Sequence, residues 1–124
     1  MTWEIVVVEP ALSWLHDLRR TDRLTLIQVS KAITALQEEG PALGRPLVDT
    51  IKGSELPNLK ELRPGSTGAS EVRLLFVFDP VRQAVILVGG DKAGNWSGWY
   101  RKAVPLAEEA YAHHLKRIEG EAGT

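Results

Sequence analysis

The chain has 124 residues, of which 44% are apolar and 25% charged, so it can bury a core and does not have the composition of a disordered segment. This length predicts a single domain over residues 1–124, with a flexible tail from about residue 119. The absence of cysteine excludes a disulfide framework, a zinc–thiolate site and a cysteine nucleophile, and the formal net charge of −1 gives no general reason to expect nucleic-acid binding.

The amino-terminal residues predict neither a leader peptide nor a membrane segment. The apolar run from Ile5 to Val8 follows no basic region, and it is far too short for a signal sequence or a membrane span. A chain without cysteine also suits a reducing compartment. We therefore expect a cytoplasmic protein with no membrane partner.

The first third of the chain predicts one strand followed by two helices. Residues Trp3–Val8 form a β-branched run that ends at a proline, which can open a helix but cannot continue a central strand. From Ala11 the apolar residues recur at helical spacing, and Thr21-Asp22 offers an N-cap that divides this segment into two helices. The second helix is expected to end at Gly40-Pro41.

The middle of the chain predicts a loop and then an antiparallel meander of three strands. Gly40–Asn58 contains several glycines and prolines without a sustained period, which is typical of an irregular crossing segment. Apolar alternation and turn residues then predict three strands, namely Leu59–Arg63, Glu71–Asp79 and Gln83–Gly89. The third of them is apolar almost throughout, which suits a strand buried on both faces.

A last helix, opened by Pro105, is predicted from apolar residues that fall on one helical face between Leu106 and Ile118. The order of elements is therefore β-α-α-β-β-β-α. Helices separated along the chain from a mostly antiparallel sheet predict an α+β fold, with the helices packed on one face of the sheet.

The middle of the chain is basic and its two ends are acidic. Arg45 to Lys102 contains nine basic and six acidic residues, whereas the segments on either side each carry a net charge of −2. Strand alternation places Arg73 on the face opposite Val72 and Leu74, so we expect it to leave the core face and its removal to leave the fold intact. Glu61 or Arg63 of the preceding strand, and Lys92 after the next one, can lie near it.

These charges have two interpretations. They can form a surface that binds an anion, or Glu61, Arg63, Glu71 and Arg73 can be cross-strand ion pairs that only keep the sheet soluble. Trp96, Trp99 and Tyr100, beside Arg101-Lys102, can likewise stack on bases or pack into the core.

Two other motifs predict no chemistry. Gly89-Gly90 and the residues after it lack the spacing and the βαβ context of a phosphate-binding loop. The adjacent His113 and His114 point about 100° apart on a helix and cannot share a metal ion through one face. We therefore expect no metal site and no cofactor.

A series of short motifs resembles the RelE/HigB superfamily of toxins, most closely its phage-derived HigB-like branch. The matching pieces occur in order along nearly the whole chain; they are Gly44-Arg45-Pro46-Leu47, Leu59-Lys60-Glu61-Leu62-Arg63, Val72-Arg73-Leu74-Leu75-Phe76 and the final helix. The chain differs from the branch in having Gly90-Asp91-Lys92 where phenylalanine and paired lysines commonly follow the last strand.

The resemblance implies a RelE-like fold with a curved sheet, and a metal-independent ribonuclease that cleaves messenger RNA on the ribosome. The catalytic positions that it implies are Arg73, Glu61, Lys92 and Tyr100. Arg63, Lys60, Arg101 and Lys102 are the candidates for binding RNA phosphates. Arginine suits phosphate because its guanidinium group can bind two oxygens at once, and Glu61 could take a proton from an RNA 2′-hydroxyl.

The resemblance also implies a cognate antitoxin, expected to be a helix-turn-helix protein, which would cover Arg63, Arg73 and Lys92 or hold the final helix away from them. The other partners implied are messenger RNA and the ribosome. Two alternatives remain open: a RelE- or ParE-fold toxin that acts by protein association without cleaving RNA, and a small structural or regulatory protein.

Overall fold

The computed structural model describes residues 2–66 and 68–122, the last of these by its backbone only. The first half contains strand β1 (Glu4–Val7), helices α1 (Ala11–Thr21) and α2 (Arg23–Glu39), a 3-10 turn at Gly40–Ala42 and strand β2 (Val48–Thr50). The second half contains strands β3 (Lys60–Leu62), β4 (Val72–Phe78) and β5 (Gln83–Asp91), followed by helix α3 (Trp96–Ala122). The predicted α+β class is confirmed.

The five strands form one sheet in the order β1-β5-β4-β3-β2, in which β1 runs parallel to β5 and the other neighbours are antiparallel. The predicted meander corresponds to β3, β4 and β5. Strand β2 was expected to be loop, and that expectation is wrong: Val48 pairs with Leu62 and is buried with it in one core. Three residues between glycines and prolines are too few to show a period.

The division between α1 and α2 lies where the sequence predicts it. Asp22 has a non-helical backbone and accepts a hydrogen bond from the backbone N–H of Thr25 over 3.1 Å. A carboxylate at this position satisfies one of the amide groups that the first turn of a helix leaves without a partner. Asp22 is therefore the N-cap of α2.

The sheet is covered on both faces, so the expectation that the helices pack on one face is wrong. Leu74 and Phe76 of β4 lie in a core with residues of α1 and α2, whereas Leu75 and Val77 lie in a second core with α3. Because β4 and β5 are apolar on both faces, each face needs a helical cover.

Helix α3 is longer at both ends than the sequence predicts. It begins at Trp96, so Pro105 lies inside the helix instead of opening it. A proline removes one backbone hydrogen bond within a helix, but packing of Ala103 and Ala107 on the sheet holds the helix at this point. The helix continues to Ala122, which overlaps the expected flexible tail, and Gly123 and Thr124 lie outside the described residues. No helix in the described ranges is long and apolar enough to span a membrane.

The paired glycines Gly89 and Gly90 lie inside β5 and let two tryptophans approach the sheet. A methyl group added to Gly89 would overlap the ring of Trp14 on α1, and one added to Gly90 would overlap the ring of Trp99 on α3. The pair is therefore a packing feature of the strand, in agreement with the prediction that it is not a phosphate-binding loop.

We expect Gly89→Ala to lower the free energy of unfolding by about 1–3 kcal/mol, because the partly buried indole of Trp14 must shift or the strand must move. Urea denaturation measures this change. The control is Gly44→Ala, since nothing lies within 4 Å of a Cβ atom at Gly44. Equal stability of the two variants would contradict this account of the glycine pair.

Candidate active site

Glu61 is the middle residue of β3 and is 6% exposed. Its Oε2 atom accepts a hydrogen bond of 2.5 Å from the hydroxyl of Tyr100, and its Oε1 atom lies 3.4 Å from Nε of Arg63 and 3.8 Å from Nε of Arg73. A carboxylate is buried at low cost only when such partners surround it. Glu61 is therefore held by a hydrogen bond from Tyr100 and by ion pairs with Arg63 and Arg73.

Arg73 is buried between β4 and α3, so the expectation that it leaves the core face is only half right. It leaves the core that α1 and α2 cover, but its side chain is 10% exposed because Leu75 and Val77 on the same strand face pack under α3. One guanidinium nitrogen donates to the carbonyl oxygen of Val72 over 2.8 Å. The Nε atom has no hydrogen-bond partner within the described part of the chain.

The burial of Arg73 overturns the expectation that its removal leaves the fold intact. Truncating a long buried side chain leaves a cavity, and it also takes a positive charge from beside the buried carboxylate of Glu61. Stability and activity would both change. Arg73→Ala is therefore a poor test of catalysis.

Lys92 is brought to this side of the sheet by a bulge in β5. Leu75 pairs with Val88 and Phe76 with Ile86, so β5 has one residue more than β4 at this point. From there to the end of β5 the alternation is reversed, and a bulge commonly re-aims a side chain in this way. Without it, Lys92 would point toward α1.

The ammonium group of Lys92 is enclosed by aromatic rings. It lies 3.3 Å from the ring centroid of Trp96 and 5.4 Å from that of Tyr100, and the residue is only 1% exposed. Burial, and then the positive charge of Arg73, lower the pKa of Lys92 below its usual value. Cation–π contacts partly replace the water that the ammonium group loses.

The hydroxyl of Tyr100 stays protonated at neutral pH. Burial raises its pKa well above the usual value, and the hydrogen bond to Glu61 and the negative charge of that carboxylate raise it further. Tyr100 is therefore a hydrogen-bond donor to Glu61 and does not act as a free base.

The structure thus brings together five of the eight residues predicted from the sequence, here called the Glu61 cluster: Glu61, Arg63, Arg73, Lys92 and Tyr100. Of the two interpretations of these charges, an open anion-binding surface is wrong for most of the cluster because α3 covers it, and the ion pairs of Glu61 with Arg63 and Arg73 are present. The side chain of Arg63 is still 31% exposed. An open groove also reaches Glu61 and Tyr100 from the side of β2.

This groove, here called the Glu61 groove, is lined by Glu61, Tyr100 and six residues that sequence reasoning did not select. Its lining consists of Arg45, Asp49, Thr50, Ile51, Lys52, Glu61, Tyr100 and Val104. Arg45 forms an exposed ion pair of 3.2 Å with Asp49. Arg45 stands in the motif that carries the resemblance, so the sequence held one signal for it, whereas Lys52 lies in a segment whose path no pattern predicts.

Three predicted residues do not join the cluster. Lys60 precedes Glu61 in β3, and strand alternation turns it to the other sheet face. Arg101 and Lys102 are exposed on α3, next to Tyr100 in sequence but outside the contacts of the cluster. As expected, His113 and His114 diverge: His114 is buried and His113 is exposed. Within residues 2–66 and 68–122, no group of three or more histidine, aspartate or glutamate side chains could hold a metal ion.

Comparison with known protein families identifies the family of this chain. Residues 14–112 match the family described as Phage derived protein Gp49-like (DUF891). The chain belongs to this Gp49-like family. The match covers the span from α1 to the middle of α3, and therefore includes every member of the Glu61 cluster.

Relatives of this Gp49-like chain place it in the RelE/HigB superfamily. It is 54% identical over 112 residues to a protein of Mycobacterium tuberculosis named as a candidate toxin, HigB2, covering 90% of this chain but only 54% of that protein. It is 44% identical over 116 residues to a second candidate toxin of the same organism, HigB3, covering 94% of this chain and 96% of the relative. The chain thus spans about half of HigB2 and nearly all of HigB3.

The fold of the Gp49-like chain is that of RelE. A double arginine-to-alanine mutant of Escherichia coli toxin RelE in the free state superposes with a TM-score of 0.56 at 17% identity, covering 95% of this chain and 99% of the other. At this identity the likeness concerns the fold. The RelE-like curved sheet that the sequence predicts is confirmed.

Proposed function

We propose that this chain is the toxin of a toxin–antitoxin pair, and that it inhibits translation as a metal-independent endoribonuclease cleaving messenger RNA. The family and the relatives named as toxins support the first part. One observation carries the second part: the buried carboxylate of Glu61 lies between a protonated tyrosine hydroxyl and two arginines, and it lines an open groove.

The reaction that suits this arrangement is attack of an RNA 2′-oxygen on the adjacent phosphorus. The bond from phosphorus to the 5′-oxygen breaks, leaving a 2′,3′-cyclic phosphate on one product and a 5′-hydroxyl on the other. Glu61 takes the proton from the 2′-hydroxyl. Tyr100 gives its proton to the 5′-oxygen and recovers one from Glu61, so the proton passes across their hydrogen bond and no tyrosinate accumulates.

Positive charge offsets the negative charge that grows on the phosphate. The side chain of Arg63 is partly exposed and can bind the phosphate through two hydrogen bonds, while the buried Arg73 and Lys92 act on it through the low-dielectric interior. The ribosome, as a partner, would hold the messenger RNA in line for attack, so that a modest acid–base pair is enough.

A cognate antitoxin is the other partner in this proposal, and we take it to be a helix-turn-helix protein. Since α3 already covers Arg73 and Lys92, the surfaces that remain for it to occupy are Arg63 and the Glu61 groove. The partly exposed Arg63 offers a positive group to an acidic segment of the antitoxin. The site of action, with messenger RNA and ribosomes, is the cytoplasm.

One observation favours a second candidate, a toxin that acts by protein association. Glu61, Arg73 and Lys92 are each less than 10% exposed, so they could form a structural network under α3. In that case the exposed surface of the protein, not the cluster, would carry its activity.

Induced expression followed by RNA analysis separates these candidates. We expect growth arrest together with messenger RNA fragments that end in 2′,3′-cyclic phosphate. Growth arrest with intact RNA would instead support action by association. Normal growth with intact RNA would contradict both.

We further expect EDTA to leave cleavage unchanged, because arginine charge replaces the metal that many nucleases use to neutralise the phosphate. The measurement is the rate on programmed ribosomes that retain their own magnesium, with a brief chelator treatment of the toxin alone beforehand. Activity that is lost in EDTA and restored by one particular divalent ion would refute the metal-independent mechanism.

A further inference from the structure

Trp96 has an unusual environment for an aromatic residue at the start of a helix. One face of its ring covers the ammonium group of Lys92 at 3.3 Å, yet the residue is 56% exposed. Within the described residues, Lys92 provides the cation–π contact of this ring, and no other aromatic ring stacks on it. The outer face of the indole is therefore presented to solvent.

The orientation of this ring is fixed from two sides. Its Nε1–H group donates a hydrogen bond of 3.0 Å to Oε2 of Glu71, the residue that precedes β4. Lys92 follows β5, and its backbone N–H donates to the carbonyl oxygen of Glu71 over 3.0 Å. Both anchors thus belong to the paired ends of β4 and β5, and the exposed ring is held in place.

The ring is also continuous with the Glu61 cluster. Lys92 contacts Trp96 on one side and lies 5.4 Å from the ring centroid of Tyr100 on the other, and Tyr100 donates its hydrogen bond to Glu61. A nucleotide lying on Trp96 would therefore belong to the same short stretch of RNA as the phosphate beside Glu61.

We propose that Trp96 is the base-stacking residue of this site, which binds a purine of single-stranded RNA on its outer ring face next to the cleaved bond. The inference rests on the proposed function and deepens it. A fixed, exposed indole provides a stacking surface without loss of side-chain freedom. The cation beneath the ring draws electron density from it and favours stacking of an electron-rich base, and the larger purines stack more strongly than pyrimidines.

The test uses binding of a short 2′-O-methyl oligoadenylate, which cannot be cleaved, and the same oligonucleotide with one abasic position at each site in turn. We expect Trp96→Leu to weaken binding of the intact oligonucleotide roughly ten-fold or more, and Trp96→Phe to weaken it only a few-fold. One abasic position should weaken binding to the wild type but not to Trp96→Leu. Leu106→Ala, at a residue of the same helix that is 46% exposed, is the control and should change nothing.

Two further measurements separate stacking from a structural role. Thermal unfolding should be similar for Trp96→Leu and Trp96→Phe, and the salt dependence of binding should stay that of the wild type, because stacking adds no phosphate contact. A changed salt dependence would mean that Trp96 acts through Lys92 and would overturn the inference. So would equal binding of intact and abasic RNA by the wild type, or no binding by the wild type.

The proposed function can fail separately. If the stacking signature is present and messenger RNA on programmed ribosomes is not cleaved, the stacking role of Trp96 is supported and the nuclease function is refuted. If Trp96→Leu and the wild type cleave messenger RNA on programmed ribosomes equally well, and the abasic oligonucleotides show no difference, the nuclease function is supported and the stacking role is refuted.

Discussion

Glu61→Gln is expected to reduce the rate of RNA cleavage by roughly 10²–10⁴-fold, the usual contribution of a positioned general base. Glutamine has the shape of glutamate, and its amide oxygen can still accept the hydrogen bond of Tyr100, but it cannot take the proton of a 2′-hydroxyl. The measurement is single-turnover cleavage of end-labelled messenger RNA on programmed ribosomes. Growth on induced expression should recover in parallel.

The matched control is Asp49→Asn, which makes the same chemical change to a carboxylate in the same groove. Asp49 is a partner of Arg45 and accepts a hydrogen bond from the backbone N–H of Thr50, which lowers its pKa, but it has no contact with Tyr100 among the described interactions. We expect its variant to cleave within a few-fold of the wild type. Equal loss in both variants would point to the charge of the groove and not to Glu61 as the base.

Much of the Glu61 cluster could be predicted because strand periodicity constrains it. Alternation places Glu61, Arg63 and Arg73 on one sheet face once the hairpin is recognised, and the antiparallel register Glu61 to Leu75 brings the two strands together. Alternation says nothing about the catalytic or RNA-binding role of these residues, which the resemblance implied. The placement of the three side chains could be predicted from the local apolar pattern and one turn.

The position of Lys92 could not be predicted in this way. It depends on the bulge that adds one residue to β5 opposite Leu75 and Phe76, and the apolar run there continues without interruption, so nothing in the sequence marks the extra residue. The sequence indicated only that Lys92 follows the strand. Which face it reaches is a tertiary property.

The burial of the cluster could not be predicted either, because it depends on where α3 begins. Pro105 looks like the start of a helix, so Trp96, Trp99 and Tyr100 were left outside it. A helix that begins nine residues earlier carries Tyr100 over Glu61 and packs Trp99 against Gly90. Proline is disfavoured within helices, but contacts such as that of Ala107 with the sheet override this preference.

A second buried polar network joins α3 to the far end of the β4–β5 hairpin. His114 and Asp79 have fully buried side chains, with Nε2 of the histidine 2.7 Å from Oδ2 of the aspartate. Arg117 lies 2.8 Å from Nδ1 of the same ring, and because arginine can only donate, Nδ1 accepts and the ring hydrogen is on Nε2. The other oxygen of Asp79 accepts from the backbone N–H groups of Val81 and Gln83.

His114→Ala is therefore expected to lower the free energy of unfolding by about 3–5 kcal/mol, a large share of the stability of a domain of this size. The substitution removes a donor from the buried carboxylate of Asp79, leaves Arg117 without its acceptor and opens a cavity beside Tyr111, whose ring stacks on the histidine. Chemical denaturation at neutral pH measures the change, and His113→Ala, one residue away and exposed, should stay within about 0.5 kcal/mol of the wild type. Because this network lies at the opposite end of β4 from Arg73, the folded variant should still cleave RNA. A stable His114→Ala protein without activity would show instead that this histidine takes part in the reaction, and that its role is not to hold α3 on the sheet.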